Sequence, residues 1–217
     1  MLDLFDSPAD AQSRREPLAP GAMVLRGRAL DAEDAILAAL RHVADAASFR
    51  HMITPGGYRM SVAMTNCGTA GWITDRRGYR YDAIDPESGR PWPPMPPAFL
   101  DLALAAAADA GFDGFVPDVC LINRYEPGAR LSLHQDKDEG TFDAPIVSVS
   151  LGLPAVFLFG GLRRTDRQIR VGLTHGDIVV WGGPARLAYH GVMPLKEGMH
   201  PTLGCLRYNL TFRKALG

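Results

Sequence analysis

The sequence lacks the features that mark several common protein classes. It has only three cysteines, Cys67, Cys120 and Cys205, and none of them forms a CxxC pair, which argues against zinc ribbons and redox dithiols. No stretch approaches the roughly 18 consecutive apolar residues that a membrane span needs. The first residues carry acids early and lack the long apolar run of a signal peptide. We therefore expect a protein of a reduced, cytoplasmic compartment with no membrane partner.

An excess of charge of either sign is also missing. The chain has 23 basic and 24 acidic residues and a net charge of −1, whereas domains that coat nucleic acid by bulk charge are usually strongly basic. A local basic patch remains compatible with this balance. The length of 217 residues and the hydrophobic content of 47% fit one domain with a full core. We expect residues 1–16 to form a flexible arm, residues 17–217 to form a single domain, and the protein to act as a monomer.

Two helices are predicted in the first half of the chain. Asp31 is suited to the N-cap of a helix over 31–47, in which apolar residues recur at helical spacing. Pro96 and Pro97 predict the start of a second helix, and Gly111 predicts its end. Both helices precede the region of predicted strands, so we expect them to cover an outer face of a sheet.

Short strands separated by tight turns are predicted from residue 118 onward. Their predicted ranges are 119–125, 129–136, 146–153, 155–159, 177–181, 187–190 and 206–213. Glu126-Pro127-Gly128 is predicted as a hairpin turn between the first two. Seven or eight such strands are typical of a sandwich or barrel. We expect a mainly β fold, a double-stranded β-helix (jelly roll) with N-terminal helices. Several strands alternate with one polar or small face, which predicts a polar pocket inside the barrel.

The strongest functional pattern is a candidate metal site. His134 and Asp136 are two residues apart, so a strand presents both side chains on one face. His190 ends another predicted strand and can supply a third ligand. Two imidazoles and one carboxylate, with coordination positions left open, form the facial triad of non-haem Fe(II) oxygenases. Three other histidines compete less well for the third position, because they lie at a turn, in a loop and inside the first helix: His175, His200 and His42.

The last predicted strand suggests what binds beside the metal. Its strict alternation places Arg207, Asn209, Thr211 and Arg213 on one face. Two guanidinium groups on one wall predict a small dianionic cosubstrate, since each guanidinium offers a planar fork to a carboxylate. One arginine can hold the distal carboxylate, and the other can lie near the metal or brace a carboxylate ligand. The sequence leaves open which of the two is the main anchor.

At these residues the sequence resembles the AlkB family of Fe(II)/2-oxoglutarate-dependent dioxygenases, which repair alkylated nucleobases. The matching stretches are GGYRMSVAMTNCG, CLINRYEPGARLSLHQDKDE, PIVSVSLGLPAVFLFGG, HGDIVVWGGPARLAYHGV and RYNLTFR, in family order over most of 20–213. The resemblance implies O2 as a further substrate and assigns Fe(II) to His134, Asp136 and His190. It implies that 2-oxoglutarate is bound by the polar residues of two strands: Asn123, Tyr125, Arg207, Asn209, Thr211 and Arg213.

The segment 50–95 is the candidate substrate-binding region. It is rich in glycine, proline and aromatic residues, with arginines interleaved, which suits phosphate contacts and base stacking. The resemblance makes it a nucleotide-recognition lid. It implies that Trp72 packs on the flipped base opposite the ring of His134, and that Tyr79, Arg80 and Tyr81 lie along the damaged strand. It also implies that Asp138 contacts the exocyclic amine of the base and that Arg164 lies near the substrate. The alternatives are core packing for the aromatics and a solvated turn for Asp138 and Glu139.

The resemblance implies a reaction and leaves two rivals. The implied reaction is oxidative demethylation of bases such as 1-methyladenine and 3-methylcytosine, releasing formaldehyde, succinate and CO2. Because the base must leave the stack, we expect alkylated single-stranded DNA as the preferred partner, with RNA left open. A zinc hydrolase with two histidines and one aspartate would not need the two arginines. A non-catalytic single-strand-binding module would not need the metal ligands.

Overall fold

The computed structural model describes residues 15–216, which contain thirteen β-strands and two α-helices. The strands are β1 (Arg15–Ala19), β2 (Ala22–Leu25), β3 (Ala63–Gly68), β4 (Gly71–Asp75), β5 (Gly78–Asp82), β6 (Val119–Tyr125), β7 (Leu131–His134), β8 (Ile146–Gly152), β9 (Ala155–Phe159), β10 (Ile169–Leu173), β11 (Ile178–Trp181), β12 (His190–Val192) and β13 (Arg207–Arg213). The helices are α1 (Glu33–Ala46) and α2 (Pro97–Asp109). β1 begins two residues inside the expected arm, and the remainder of that arm lies outside the described residues.

The strands form two antiparallel sheets and one separate hairpin. The larger sheet has the order β1-β2-β11-β8-β13-β6-β3, and the smaller has the order β10-β9-β12-β7. Residues alternate between the two faces of each strand, so inward side chains line the space between the sheets and outward ones meet the helices. In β6, for example, Leu121 belongs to the apolar cluster between the sheets, whereas Ile122 belongs to the cluster beneath the helices. The predicted double-stranded β-helix with N-terminal helices is confirmed.

Both helices pack on the larger sheet. α1 buries Ile36, Leu37, Leu40 and Val43, and burial of such side chains stabilises by about 1.5–3 kcal/mol each. The predicted N-cap is wrong, because Asp31 lies inside a 3₁₀ turn and α1 begins only at Glu33, without a side-chain cap. α2 begins at the predicted proline pair and ends just before the predicted glycine. Neither helix in residues 15–216 has the length and apolarity needed to cross a membrane.

The predicted hairpin turn at Glu126-Pro127-Gly128 is wrong. β6 pairs with β3 on one side and β13 on the other, so both of its edges are occupied. The turn therefore carries the chain across to the smaller sheet, where β7 pairs with β12. β7 is also shorter than predicted and ends at His134, and β12 begins rather than ends at His190. As a result the two histidines are register partners on neighbouring strands.

The strands that precede β6 were not predicted from the sequence. β3 lies within the glycine- and proline-rich segment 50–95 and forms an edge of the larger sheet. β4 and β5 form a two-stranded hairpin that is not part of either sheet. Such a hairpin is marginally stable alone and needs tertiary anchors. One anchor is Trp92, whose indole N–H donates to the carbonyl oxygen of Asp82 over 2.9 Å, at the end of β5.

Candidate active site

The three predicted metal ligands converge in space. His134, Asp136 and His190 each present one ligand atom, and these atoms lie within 4.8 Å of one another. The Nε2 atoms of His134 and His190 are each 3.7 Å from a carboxylate oxygen of Asp136. No other group of three His, Cys, Asp or Glu side chains in residues 15–216 comes together in this way. The other histidines considered as the third ligand are not part of this group: His175, His200 and His42.

Hydrogen bonds fix the orientation of both imidazoles. Nδ1 of His134 is 2.8 Å from the carbonyl oxygen of Ser132, and Nδ1 of His190 is 3.0 Å from that of Ala188. A carbonyl oxygen can only accept, so each Nδ1 carries a proton, and in the neutral ring this leaves the lone pair on Nε2. Both lone pairs therefore face the carboxylate of Asp136. Outer partners of this kind orient the histidine ligands in metal proteins.

The charges around the triad favour the deprotonated, metal-binding forms. Burial alone would raise the pKa of Asp136, but Arg213 and the two imidazoles outweigh it and hold that pKa well below its usual range. Arg213 donates from Nη2 and Nε to the same carboxylate oxygen, over 2.7 and 3.1 Å. Burial and the neighbouring ring of His134 lower the pKa of His190 to about 4. Asp136 is therefore an anionic donor and His190 a neutral donor near pH 7, and carboxylate and imidazole donors of this kind suit Fe(II).

Arg207 forms the opposite wall of the same space. Arg207 is 1% exposed and donates from Nη2 to Ser150 over 2.9 Å, and its Nε has no hydrogen-bond partner within residues 15–216. Unlike Arg213, it forms no salt bridge to any carboxylate in residues 15–216. Burial lowers its pKa, but a guanidinium remains charged in a protein. A buried cation without a counter-ion is unfavourable unless a bound anion supplies the charge.

Neighbouring strands complete a polar wall beside Arg207. Tyr125 is the register partner of Arg207, and Asn123 is the partner of Asn209. The buried hydroxyl of Tyr125 and Oδ1 of Asn123 have no hydrogen-bond partner in the described chain. Asn209 donates to Oγ of Ser148 over 2.7 Å and accepts from Thr211 over 2.9 Å. These polar groups, buried inside a fold, are available to a ligand that carries several oxygens.

The triad and this wall share a cavity of about 790 Å³ with part of the predicted substrate surface. Trp72 and Tyr79 line its mouth and stack on each other, with ring centroids 5.6 Å apart. The indole N–H of Trp72 donates to Asp138 over 2.9 Å. Arg164 also lines the cavity, where Nη1 donates to the carbonyl oxygen of Leu133 over 2.7 Å.

The other two residues predicted to contact substrate are placed differently. Arg80 lies on the opposite face of β5 and donates to Asp75 over 2.9 and 3.1 Å. Tyr81 points toward the metal ligands, and its hydroxyl donates to Glu139 over 2.7 Å. Neither residue lines the cavity. The structure thus brings Trp72 and Tyr79 to the cavity but directs Arg80 and Tyr81 to other partners.

Sequence reasoning missed three buried residues near the triad. Glu139 was open to interpretation as part of a solvated turn, yet its side chain is 2% exposed and pairs with both Arg186 and Arg213 at 3.3 Å. Arg186 stands in a glycine- and proline-containing loop and carried no recognisable signal. Trp181 lines the cavity and packs 4.9 Å from the ring of His190, and its buried Nε1 has no partner in residues 15–216. A hydrophobic strand residue of this kind gives no functional signal in one sequence.

Comparisons with known proteins agree with this geometry. The model of the 2OG-Fe(II) oxygenase superfamily matches residues 21–213. The chain is 60% identical to alpha-ketoglutarate-dependent dioxygenase AlkB of Escherichia coli K12, over 99% of this chain and 98% of that protein. It is 46% identical to an AlkB homolog of Caulobacter vibrioides NA1000, over 86% of this chain and 83% of that protein. The solved structure of OsALKBH1 superposes with a TM-score of 0.81 at 29% identity, covering 92% of this chain and 99% of that one.

Proposed function

The chain belongs to the AlkB family of the 2OG-Fe(II) oxygenase superfamily, and we propose that it removes methyl groups from the ring nitrogens of bases in single-stranded DNA. Substrates such as 1-methyladenine and 3-methylcytosine fit this chemistry. When bound, iron, 2-oxoglutarate and O2 together supply the oxidant that hydroxylates the methyl carbon, with succinate, CO2 and formaldehyde released. RNA is a second substrate of the same chemistry. The proposal includes action as a monomer in the cytoplasm, where the cell's own nucleic acid is the substrate.

The observation that carries the proposal is the pairing of an intact triad with an unpaired arginine. His134, Asp136 and His190 present three donors on one side of the cavity. Arg207 faces the same cavity and has no carboxylate partner in the part of the chain that the structure describes. A zinc hydrolase needs only the first of these features, and a binding module needs neither. A protein that binds a metal-chelating dianion needs both features, because one carboxylate of the ligand binds the metal and the other needs a cationic partner.

We assign separate tasks to the two arginines of β13. Arg207 binds the distal carboxylate of 2-oxoglutarate, with the free hydroxyl of Tyr125 as a second donor. Arg213 instead braces Asp136, to which it already donates two hydrogen bonds. Asn123, Asn209 and Thr211 line the cavity between these two positions and complete the polar wall. With this division we propose Arg207 as the main cosubstrate anchor, a choice that the sequence left open.

We assign substrate binding to the mouth of the cavity. The stacked rings of Trp72 and Tyr79 offer an aromatic face to an unstacked base, and the exposed ring of His134 lies on the other side of the mouth. Asp138 is an acceptor for an exocyclic amine and attracts a base that carries positive charge after N-methylation. Arg164 provides a cation near the same opening. Flipping is less costly from a single strand, so we expect single strands to be preferred.

The direct test is incubation of an oligonucleotide containing one 3-methylcytosine with the protein, Fe(II), 2-oxoglutarate and ascorbate in air. Mass spectrometry should show the loss of one methyl group, and formaldehyde should appear in equal amount. Methyl loss without O2 would favour hydrolysis. Tight binding of the oligonucleotide without formaldehyde would favour a non-catalytic module. Asp136→Ala is the matched inactive control, because it removes one of the three metal donors.

A further inference from the structure

Behind the metal ligands lies a buried network that the proposed chemistry does not itself require. At its centre is Glu139, whose side chain is 2% exposed. Its Oε1 accepts a hydrogen bond from the hydroxyl of Tyr81 over 2.7 Å and lies 3.3 Å from Nε of Arg213. Arg213 in turn donates to Asp136. One carboxylate oxygen therefore links a residue of β5 to the arginine that holds a metal ligand.

The far side of Glu139 is fixed by a second arginine. Nη2 of Arg186 lies 3.3 Å from Oε2 of Glu139, and Nη1 donates to the backbone carbonyl of Asp136 over 2.9 Å. Arg186 is 3% exposed and also donates to the carbonyl of Ala144 over 3.0 Å. The two carboxylates and the two guanidiniums balance each other's charge in this buried space. Glu139 is therefore held by Arg186 on one side, whereas its contact with Tyr81 reaches a hairpin that belongs to neither sheet.

That partner belongs to the β4–β5 hairpin, which we call the lid (Gly71–Asp82). The lid is a separate two-stranded sheet and depends on tertiary anchors for its order. Trp72 and Tyr81 are register partners across it. Trp72 donates to Asp138, and Tyr81 donates to Glu139. A single cross-strand pair thus clamps the lid to two consecutive residues that closely follow the metal ligand Asp136.

We propose that Glu139 is a positioning residue that couples the lid to the metal centre through Tyr81 on one side and Arg213 on the other. The proposal rests on the proposed function, since it takes the lid as the nucleic-acid surface. When a nucleic acid orders the lid, Tyr81 stays on Glu139, and Glu139 keeps Arg213 against Asp136. The metal and 2-oxoglutarate favour the same arrangement. Each ligand therefore binds more tightly when the other is present, and the effect is equal in both directions.

The test measures this coupling as a binding constant, without turnover. Calorimetry with the Mn(II)-loaded protein gives the Kd of 2-oxoglutarate with and without a saturating single-stranded oligonucleotide that carries one 3-methylcytosine. For the unchanged protein we expect the oligonucleotide to tighten 2-oxoglutarate binding by about fivefold or more, the lower end of typical coupling. Tyr81→Phe should abolish this gain, and Glu139→Gln, which loses the charge but keeps one acceptor oxygen, should reduce it, while each ligand still binds alone.

Two matched controls keep the result specific. Tyr208→Phe also removes one phenolic hydroxyl, but its ring packs against Phe49 on the outward face of β13. Glu126→Gln neutralises an exposed glutamate whose one ion pair among the described residues is with Arg124, at 3.6 Å. Both controls should keep the full coupling. If Glu139→Gln fails to fold, Tyr81→Phe decides, since it removes a single hydroxyl from the lid.

Hydrogen exchange gives a second readout that needs no nucleic acid. Mn(II) and 2-oxoglutarate should slow the exchange of lid amides in the unchanged protein by about fivefold or more, and they should do so much less in Tyr81→Phe. Coupling that persists in both variants, or that is absent from the unchanged protein while 2-oxoglutarate still binds, would overturn the role of Glu139. Failure of the unchanged protein to bind 2-oxoglutarate at all would instead overturn the proposed function.

Discussion

Replacing Arg207 by alanine is the substitution that bears most directly on the cosubstrate site. Arg207 is the buried guanidinium of the cavity that lacks a carboxylate partner among residues 15–216. A hydrogen bond to a charged group contributes about 1.5–3 kcal/mol. Two such bonds to one carboxylate, taken at the lower end, contribute about 3 kcal/mol. Since about 1.4 kcal/mol is a tenfold change in affinity, Arg207→Ala should weaken 2-oxoglutarate binding about 100-fold.

The assay is a calorimetric titration of the Mn(II)-loaded protein with 2-oxoglutarate, which gives the Kd of each variant. Arg207→Lys should give an intermediate loss, because lysine keeps the charge but lacks the planar fork. Arg124→Ala removes an arginine from the outward side of β6, where it packs over Phe49, and should leave the affinity unchanged. Arg213→Ala should reduce 2-oxoglutarate affinity less than Arg207→Ala does. A larger loss for Arg213→Ala, or no loss for Arg207→Ala, would refute the division of tasks between the two arginines.

Three further predictions follow from the site. The pKa of His190 is lowered to about 4 in the folded protein, whereas that of an unfolded histidine is about 6.5. As pH falls, the imidazole is therefore protonated first in the unfolded state, which favours unfolding. The metal-free protein should lose about 3 kcal/mol of stability between about pH 6.5 and 4. His190→Gln should flatten that part of a stability curve measured with denaturant. Burial also lowers the pKa of His175, so the pH dependence that His175 contributes should remain in this variant. An unchanged curve for His190→Gln would contradict the assignment. Trp72→Ala should raise the KM for a methylated oligonucleotide about tenfold or more, because base stacking is lost. The KM for 2-oxoglutarate should change little. An equal rise in both KM values would contradict the role of Trp72 in substrate stacking. Single strands should give a higher kcat/KM than the matched duplex at subsaturating substrate, and equal values would count against base flipping as the source of the preference.

The metal ligands and the shared face of the β13 side chains could be predicted because both depend on short-range patterns. His134 and Asp136 stand at the two-residue spacing of a strand, and β13 alternates along its whole length. Alternation along β13 places its side chains on one face. Asp136 lies two residues beyond the end of β7, and its carboxylate still approaches the imidazole of His134 at 3.7 Å. The position of the third ligand depends on tertiary structure, because the pairing of β12 with β7 brings His190 beside His134.

The parts that could not be predicted depend on contacts between distant segments. The turn after β6 has the residues of a hairpin, but both edges of β6 are already taken by strands from elsewhere in the chain. Glu139 has the sequence surroundings of a solvated turn, and its burial depends on Arg186, Arg213 and Tyr81 arriving from three other elements. β4 and β5 lack a clear apolar alternation, and two of their aromatic residues, Trp72 and Tyr81, make polar contacts with Asp138 and Glu139 outside the hairpin. Local pattern carries no information on such partners.

Iron binding under anaerobic conditions tests the central geometry most directly. The unchanged protein should bind one Fe(II) per chain, and Asp136→Ala should lose this binding while keeping a cooperative unfolding transition. The account predicts the loss because Asp136 is the single carboxylate among the three converging donors. Stoichiometric iron retained by Asp136→Ala with unchanged affinity would contradict it.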